Sequence, residues 1–476
     1  MMIKKISGVV MAALLLSYGG ESLAAENYSE EWEQLLREYS GKDSDKPRTE
    51  AAEQRRILSE WWSEFGDTTL NDLIDMAFRS NKNLEISRSK VIQAREQLGI
   101  TRSALNPQSD GSARYTNGKR SIAQDGSGSS YHDYYLAADA SWELDLFGKR
   151  RHDLEASNAD LGAATATLHD AWVSLSAEVA VNYVNLRSMQ RRIDIAHKNI
   201  ALQEEMLAIL ESKFASGLSD GLAVQQQKYN LERTRSSVPP MEQSMNSFMN
   251  TLALLTGQAP GSLNEMLLTG ETRPHEVDAS LLIGIPAETL RQRPDIRAAE
   301  MRLQAQTARK KSAKKAMYPV LSLGGSIGLE NASTGHLFET LSSFFSIGPR
   351  ITWPIFDGGK IRRNIRVQTE IEKQLMLELE QDILQAASEV RNAVDSCAKE
   401  LVRGKSLSDG LTAARGAMDI ARDKYMQGLS GFSDVLSAQQ AVYSLENDCA
   451  VSEAQSMVNV VSLFKALGGG WKPMEQ

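Results

Sequence analysis

The chain of 476 residues holds two cysteines, six histidines and, past its first residues, no long apolar run. Each scarcity excludes something. The histidines are His132, His152, His169, His197, His275 and His336, and no two stand at metal-ligand spacing. There is no glycine-rich phosphate loop before a helix, no nucleophile elbow and no paired-cysteine motif. The 17 methionines are scattered, the pattern of core filling rather than of copper binding. No residue therefore stands out as catalytic, cofactor-binding or metal-ligating, and the reading is of a protein that is not an enzyme. A net charge of −8 argues against a nucleic-acid partner, whose phosphates need basic surface. No stretch beyond the N-terminus is apolar for the roughly 20 residues that a membrane-spanning helix requires. What remains is a protein soluble outside the inner membrane or a β-barrel membrane protein, and hydropathy alone does not separate these. A charged fraction of 24%, with abundant Leu, Ala and Ser, excludes gross disorder.

What is present begins with an export signal over residues 1–24. Lys4 and Lys5 give the positive start, Val9 to Leu16 the short apolar core, and Ser22-Leu23-Ala24 a small-x-small cleavage pattern. The mature chain is expected to start near Ala25, with 25–64 as an N-terminal segment.

The rest is one unit written twice, about 211 residues apart. Trp142 to Lys149 reads WELDLFGK and Trp353 to Lys360 reads WPIFDGGK. Lys213-Phe214 and Gly217-Leu218-Ser219 return as Lys424-Tyr425 and Gly428-Leu429-Ser430. Pro107 and Pro319 each close a helical pattern. Three landmarks in one order define two tandem repeats, 65–270 and 271–476, joined near Gly257 to Gly261.

Each repeat reads as helix, strand pair, very long helix, tip and returning helix. Strands are expected at about 108–118 and 131–147, then at 319–331 and 344–356. From Tyr134 to Leu146 the residues alternate: Leu136, Ala138, Ala140, Trp142 and Leu144 on one face, Asp133, Asp139, Glu143 and Asp145 on the other. A period of two marks a strand with one apolar and one wet face. Leu321, Leu323, Ile327 and Leu329 repeat it. Pro349 and Pro354 make the last strand the least regular. The helices carry another period. Leu375, Leu379, Ile383, Ala386, Val390, Val394, Cys397 and Leu401, then Leu407, Leu411, Ala414, Met418, Ala421 and Tyr425, run in steps of three and four. Proline-free helices are expected from Lys149 to about Ser216 and from Lys360 to about Gln427. At 1.5 Å per residue each is roughly 100 Å long, too long for a globular domain, so they project.

Four strands cannot close a barrel, and lipid tolerates no open sheet edge. If the strands sit in a membrane, chains must share one barrel: two chains give about the eight strands of the smallest barrels, three give twelve and a water-filled lumen. Leu136, Trp142 and Leu144 are then the membrane-facing residues, and the acidic face lines the lumen. The alternative is a soluble hairpin packed on its own helices.

Further motifs settle the direction of the reading. Trp61-Trp62, Phe65, Leu70, Leu73, Ala77 and Asn81 form one; Ile285-Pro286, Leu290 and Arg293-Pro294-Asp295-Ile296 another. Leu255-Thr256-Gly257 and Leu467-Gly468-Gly469-Gly470-Trp471 close the two repeats. With the repeat, these resemble the outer-membrane factor family of tripartite efflux systems, the TolC/OprM-like channels. The resemblance covers nearly the whole mature chain, and the Arg-Pro-Asp-Ile motif leans toward the drug and metal branch served by RND pumps. It implies an α+β membrane protein. A homotrimer would share a 12-stranded β-barrel, four strands per chain, in the outer membrane of a Gram-negative cell. A long α-helical coiled-coil barrel would cross the periplasm to a periplasmic adaptor (membrane fusion) protein and an inner-membrane pump. Close relatives often have a lipid-bearing cysteine at the cleavage site. Ser22 to Glu26 has none, so no lipid anchor is expected.

The tips, 216–222 and 427–432, would dock the adaptor through Gly217, Leu218, Ser219, Gly428, Leu429 and Ser430. In the family, side chains just after the second tip narrow the pore, commonly an acid where Ser437 falls and a base where Gln440 falls. This chain has neither, which puts an ionic lock in doubt and leaves Asp434, with Ser437 and Gln440, as the candidate gate. Cys397 faces about residue 463 across the hairpin, roughly 20 Å of helix from Cys449. A disulfide needs Cα atoms within about 7 Å, so free thiols are expected. Two rival functions stay open: a TolC-like duct for type I protein secretion, and a periplasmic helical-hairpin adaptor.

Overall fold

The computed structural model describes residues 58–125, 128–218, 220–269 and 292–471. They fall in one structural unit. The export signal, the segment up to residue 57, Ile285, Pro286 and Leu290 of the second-repeat motif, and Ser219 of the first tip lie outside them.

The two halves are built from the same parts in the same order. In the first, α1 (Thr68–Ser80) and α2 (Lys82–Ser103) lead to β1 (Gln108–Lys119) and β2 (Ser130–Leu144), then α3 (Lys149–Ala215) and the returning α4 (Gly221–Leu255). In the second, α5 (Pro294–Lys315) leads to β3 (Val320–Asn331) and β4 (Ser343–Thr352), then α6 (Lys360–Met426) and α7 (Phe432–Ala466). The long helices have 67 residues each and the returning ones 35 each. No described helix is long and apolar enough to cross a membrane.

The long helices start alike. Gly148 and Gly359 sit at positive φ, and a carboxylate just before each takes the first free amides. Asp145 accepts from the Arg150 and Arg151 amides at 3.1 and 2.9 Å, and Asp357 from Gly359 and Ile361 at 2.8 and 2.7 Å. This corrects two sequence expectations. Strand β2 ends at Leu144 rather than 147, and Asp145 caps a helix instead of lining a strand face. β4 likewise stops at Thr352, short of 356. Pro349 stays within it because β4 is an edge strand, where a missing donor is tolerated.

Along the lower half of α6 the predicted seam residues Leu407 through Tyr425 are half-buried against α7. Higher up the stripe turns: Ala386, Ala393, Cys397 and Glu400 are buried while Ile383, Val394 and Leu401 are exposed. A straight helix drifts against a heptad pattern by about 20° per repeat, and α5 also packs on α6 there. Both cysteines are free thiols.

The densest core lies where the helices of both halves meet, around Trp61, Leu70, Leu73, Leu186, Leu252, Leu267 and Phe464. There the scattered motifs become one device used twice. Asn81 caps α2 by accepting from the Leu84 amide (3.0 Å), and its Nδ2 donates to the Leu255 carbonyl at the end of α4 (2.8 Å). Arg293, before α5, donates through Nη1 to the Ala466 carbonyl at the end of α7 (2.8 Å). Gly257 and Gly468 follow those carbonyls at φ +68° and +72°. A Cβ on Gly257 would land on the Ser80 carbonyl, and one on Gly468 would press on Arg293. Trp61, just before α1, stacks on Phe464 near the end of α7 with centroids 5.4 Å apart.

Candidate functional site

The four strands form one antiparallel sheet in the order β1-β2-β3-β4, so β1 and β4 are open edges. The register sorts its faces. Trp142 pairs with Leu323 and Leu323 with Pro349; Ala138 pairs with Ile327 and Ile327 with Phe345; Ala140 pairs with Gly325 and Gly325 with Ile347. One face is therefore apolar across three strands, and it is bare: Phe345, Ile347 and Ile351 are 81%, 75% and 71% exposed. Leu136, Trp142 and Leu144 share that face. Leu136 is exposed, while Trp142 and Leu144 are half-buried, and the Trp142 indole donates to the Leu105 carbonyl at 2.8 Å. Trp142 and Tyr134 are eight residues apart, about 27 Å along the strand, or roughly 20 Å of height at the ~40° tilt of barrel strands, most of the ~25 Å apolar band of outer-membrane barrels.

The opposite face is mostly polar, with Tyr135 and Phe344 stacked on it. Asp139 accepts from Ser112 (3.1 Å) and Ser326 (2.7 Å) and stands opposite Asp110 in the register. Arg114 reaches Asp133 at 3.5 Å and lies over the Tyr135 ring. Ala137, Gly328 and Phe344 pair across the centre.

The two tips share one turn. The Leu218 amide donates to the Lys213 carbonyl and the Leu429 amide to that of Lys424, both at 2.8 Å. Gly217 (φ +71°) and Gly428 (φ +74°) make the turn, the glycine ending of a helix that doubles back. Asp220 caps α4 by accepting from the Leu222 amide at 3.0 Å. Leu218 and Leu429 point outward, 79% and 71% exposed. Ser430 keeps an enclosed hydroxyl without a partner among the described residues.

Of the candidate gate residues, Asp434 and Ser437 are exposed on the first turns of α7. Gln440 does something the sequence did not show: its Nε2 donates to Asn230 Oδ1 on α4 at 2.8 Å, tying the returning helices of the two hairpins together. Below that bond a small core joins the tips. Leu210, Ala223 and Val224 of the first hairpin pack with Phe432 and Val435 of the second. Lys213 lies 4.5 Å from the Tyr425 ring centroid and Tyr425 meets Phe432 edge-on. The recurrence of Lys213-Phe214 as Lys424-Tyr425 was the only sequence signal for this cluster, and it does not say that Lys213 meets Tyr425 across the hairpins.

Two stretches, 73–258 and 285–469, match the model of the outer membrane efflux protein family. The toluene efflux pump outer membrane protein TtgF of Pseudomonas putida is 30% identical over 421 residues, covering 86% of this chain and 85% of that one. The cation efflux system protein CusC of Escherichia coli is 27% identical over 417 residues, covering 86% and 88%. The solved outer-membrane channel OprN superimposes with a TM-score of 0.82 at 32% identity, over 87% of this chain and 93% of that one. The repeat, the four-stranded sheet with its bare apolar face and the paired long hairpins thus have one explanation: this chain belongs to the outer membrane efflux protein family and has the fold of an outer-membrane efflux channel.

Proposed function

We propose that three copies of this chain close a 12-stranded barrel and act as a passive duct. It carries small molecules, drugs or metals, from a periplasmic adaptor and an RND-type inner-membrane pump to the exterior. The observation that carries the proposal is the sheet itself. Two open edges and an apolar face exposed across three strands are untenable in water and in lipid, unless copies pair edge to edge with that face outward. The mostly polar face then lines the lumen. The pump supplies the energy, and nothing in the duct requires a chemical step. The similarity to a toluene and a cation efflux protein favours small-molecule cargo over type I protein secretion, and two tandem hairpins with a membrane-type sheet disfavour an adaptor.

In this reading residues 65–270 and 271–476 are the two efflux repeats. The tips at Gly217-Leu218-Ser219 and Gly428-Leu429-Ser430 dock the adaptor, with Leu218 and Leu429 as the apolar contacts. Asp434 and Ser437 ring the entrance, and Gln440 holds it narrow by bonding Asn230 rather than by an ion pair. Conductance of the purified protein in a planar bilayer, with its mass in detergent, tests the whole. A trimeric mass with stepwise conductance is expected; a folded monomer that never conducts sinks the shared barrel.

A further inference from the structure

The two hairpins follow one plan but fill their seams differently. Asn199, Gln203, Gln227, Asn230 and Thr234 are all buried between α3 and its surroundings. The residues 211 further on are Gly410, Ala414, Ala438, Ala441 and Leu445, none of them polar. At these positions the first hairpin thus has a hydrogen-bonded interior where the second has an apolar one; the second keeps its buried polar contacts elsewhere, as where Ser452 donates to Glu400. Gln227 donates to the Gln203 carbonyl (2.8 Å), Gln203 to the Thr234 hydroxyl (3.1 Å), and Gln440 of α7 to Asn230.

The network is incomplete. The side-chain oxygens of Gln203, 4% exposed, and Gln227, fully buried, have no donor among the described residues. Arg192 Nε and Asn447 Oδ1 are enclosed and unpaired as well. Gln203, Arg192 and Asn447 line one cavity of about 500 Å³ between α3, α4 and α7. A water takes up about 30 Å³ of liquid and settles where two to four polar groups await it. Ser237 and Met241 form the α4 side of this cavity, and between them Pro239 and Pro240 stand inside the helix. Having no amide hydrogen, they leave the Arg235 and Ser236 carbonyls without helical donors and weaken that turn. The matching residues of α7 are Ala450 and Val451.

We propose that this cavity is a water site and that, with the Pro239–Pro240 turn, it forms a slip seam across which α4 shifts against α3 and α7 when the tip opens. Water gives Gln203 Oε1 and Asn447 Oδ1 a donor and Arg192 Nε an acceptor. Water changes partners as helices move, so a hydrated seam re-forms in a second register. An interlocked apolar seam would instead open voids. The Gln440–Asn230 bond couples α7 to this movement. The inference rests on reading the tip as an entrance that opens.

Two variants test it. Gln203→Met with Gln227→Met swaps the amides whose oxygens lack a donor for apolar chains of similar size, and Pro239→Ala with Pro240→Val gives α4 the residues of α7. Opening events in a planar bilayer are expected to fall about tenfold in each, the scale of one or two hydrogen bonds, with trimer mass intact and the thermal midpoint not lowered. A crystal structure of the wild type should show ordered water bridging Gln203, Arg192 and Asn447. Folded variants that open as often as the wild type, or a dry cavity, overturn the proposal. A wild-type trimer that never conducts sinks the duct instead, and the crystallographic waters then judge the water site alone. If the double Met variant does not assemble, the proline variant carries the gating test.

Discussion

Asp170 and Asp295 share one cavity of about 510 Å³ and obey opposite forces. Burial, and then the charge of Asp295, push the Asp170 carboxyl above the usual range. Burial pushes Asp295 the same way, but the hydrogen bonds and charge of Arg293 (2.7 Å) win and hold it below. The linkage signs follow. A raised carboxyl weakens the fold when charged, and the penalty vanishes as pH falls below the unfolded value near 3.8. Asp170→Asn should therefore raise the thermal midpoint of the detergent-purified protein at pH 7 and leave it unchanged below about pH 4. A depressed carboxyl contributes stability above its unfolded value and loses it in acid. Asp295→Asn should lower the midpoint at pH 7, a destabilisation of the ~1–3 kcal/mol of a charge-assisted bond on a part-exposed group, and have no effect in strong acid. Melting curves at the two pH values decide both. The Arg-Pro-Asp-Ile motif was legible in the sequence; its partners, Ala466 and Glu389 (2.9 Å), were not, because they stand 173 and 96 residues further along the chain. The buried Arg187 bonds Tyr183 one turn back in α3 and, 80 residues further along, the Leu267 carbonyl. Burial and the hydrogen bond from Tyr183 to Asp67 push the phenol up to about 12. No local pattern announces that network.

At the scale of elements, ends matter more than middles. The ends of α4 and α7 are held by the helices that open their own repeats. Asn81→Ala removes a cap and a bond to Leu255, and should cost about 1–2 kcal/mol. Gly257→Ala should cost more than the ~1 kcal/mol of an ordinary strained turn, since its Cβ meets the Ser80 carbonyl. Thermal unfolding of the purified variants measures both, and a neutral Gly257→Ala would contradict the close approach. At the tip, Gln440→Ala removes the link between α4 and α7. Channel openings should become several-fold more frequent, the effect of one lost hydrogen bond; an unchanged frequency would remove Gln440 from the gate. Helix lengths and strand alternation were readable because periods of 3.6 and 2 are local. The last residue of a strand was not, because at Asp145 and Asp357 the alternation runs on while the carboxylate has already turned to cap the next helix.

At the scale of the whole molecule the sheet's two faces make the sharpest forecast. Ile347→Arg puts a charge on the apolar face, at a cost of about 2–4 kcal/mol near the bilayer midplane. The protein should then fail to appear as a trimer in the outer-membrane fraction. Ser346→Arg, one residue away but pointing to the polar face beside Ser326, should insert normally and alter only conductance. Equal behaviour of the two would mean that the face assignment is wrong. The sequence by itself determined the tandem repeat, the proline-free long helices and the two-faced strands, because each follows from a pattern of neighbours along the chain. Only the tertiary structure decided which helix ends meet, within a repeat and between the two. It joined Asn81 to Leu255, Arg293 to Ala466 and Gln440 to Asn230, and it placed the buried polar groups of the two hairpins at different levels. Those are contacts between residues about 170 to 210 positions apart, chosen by packing geometry that no periodicity encodes.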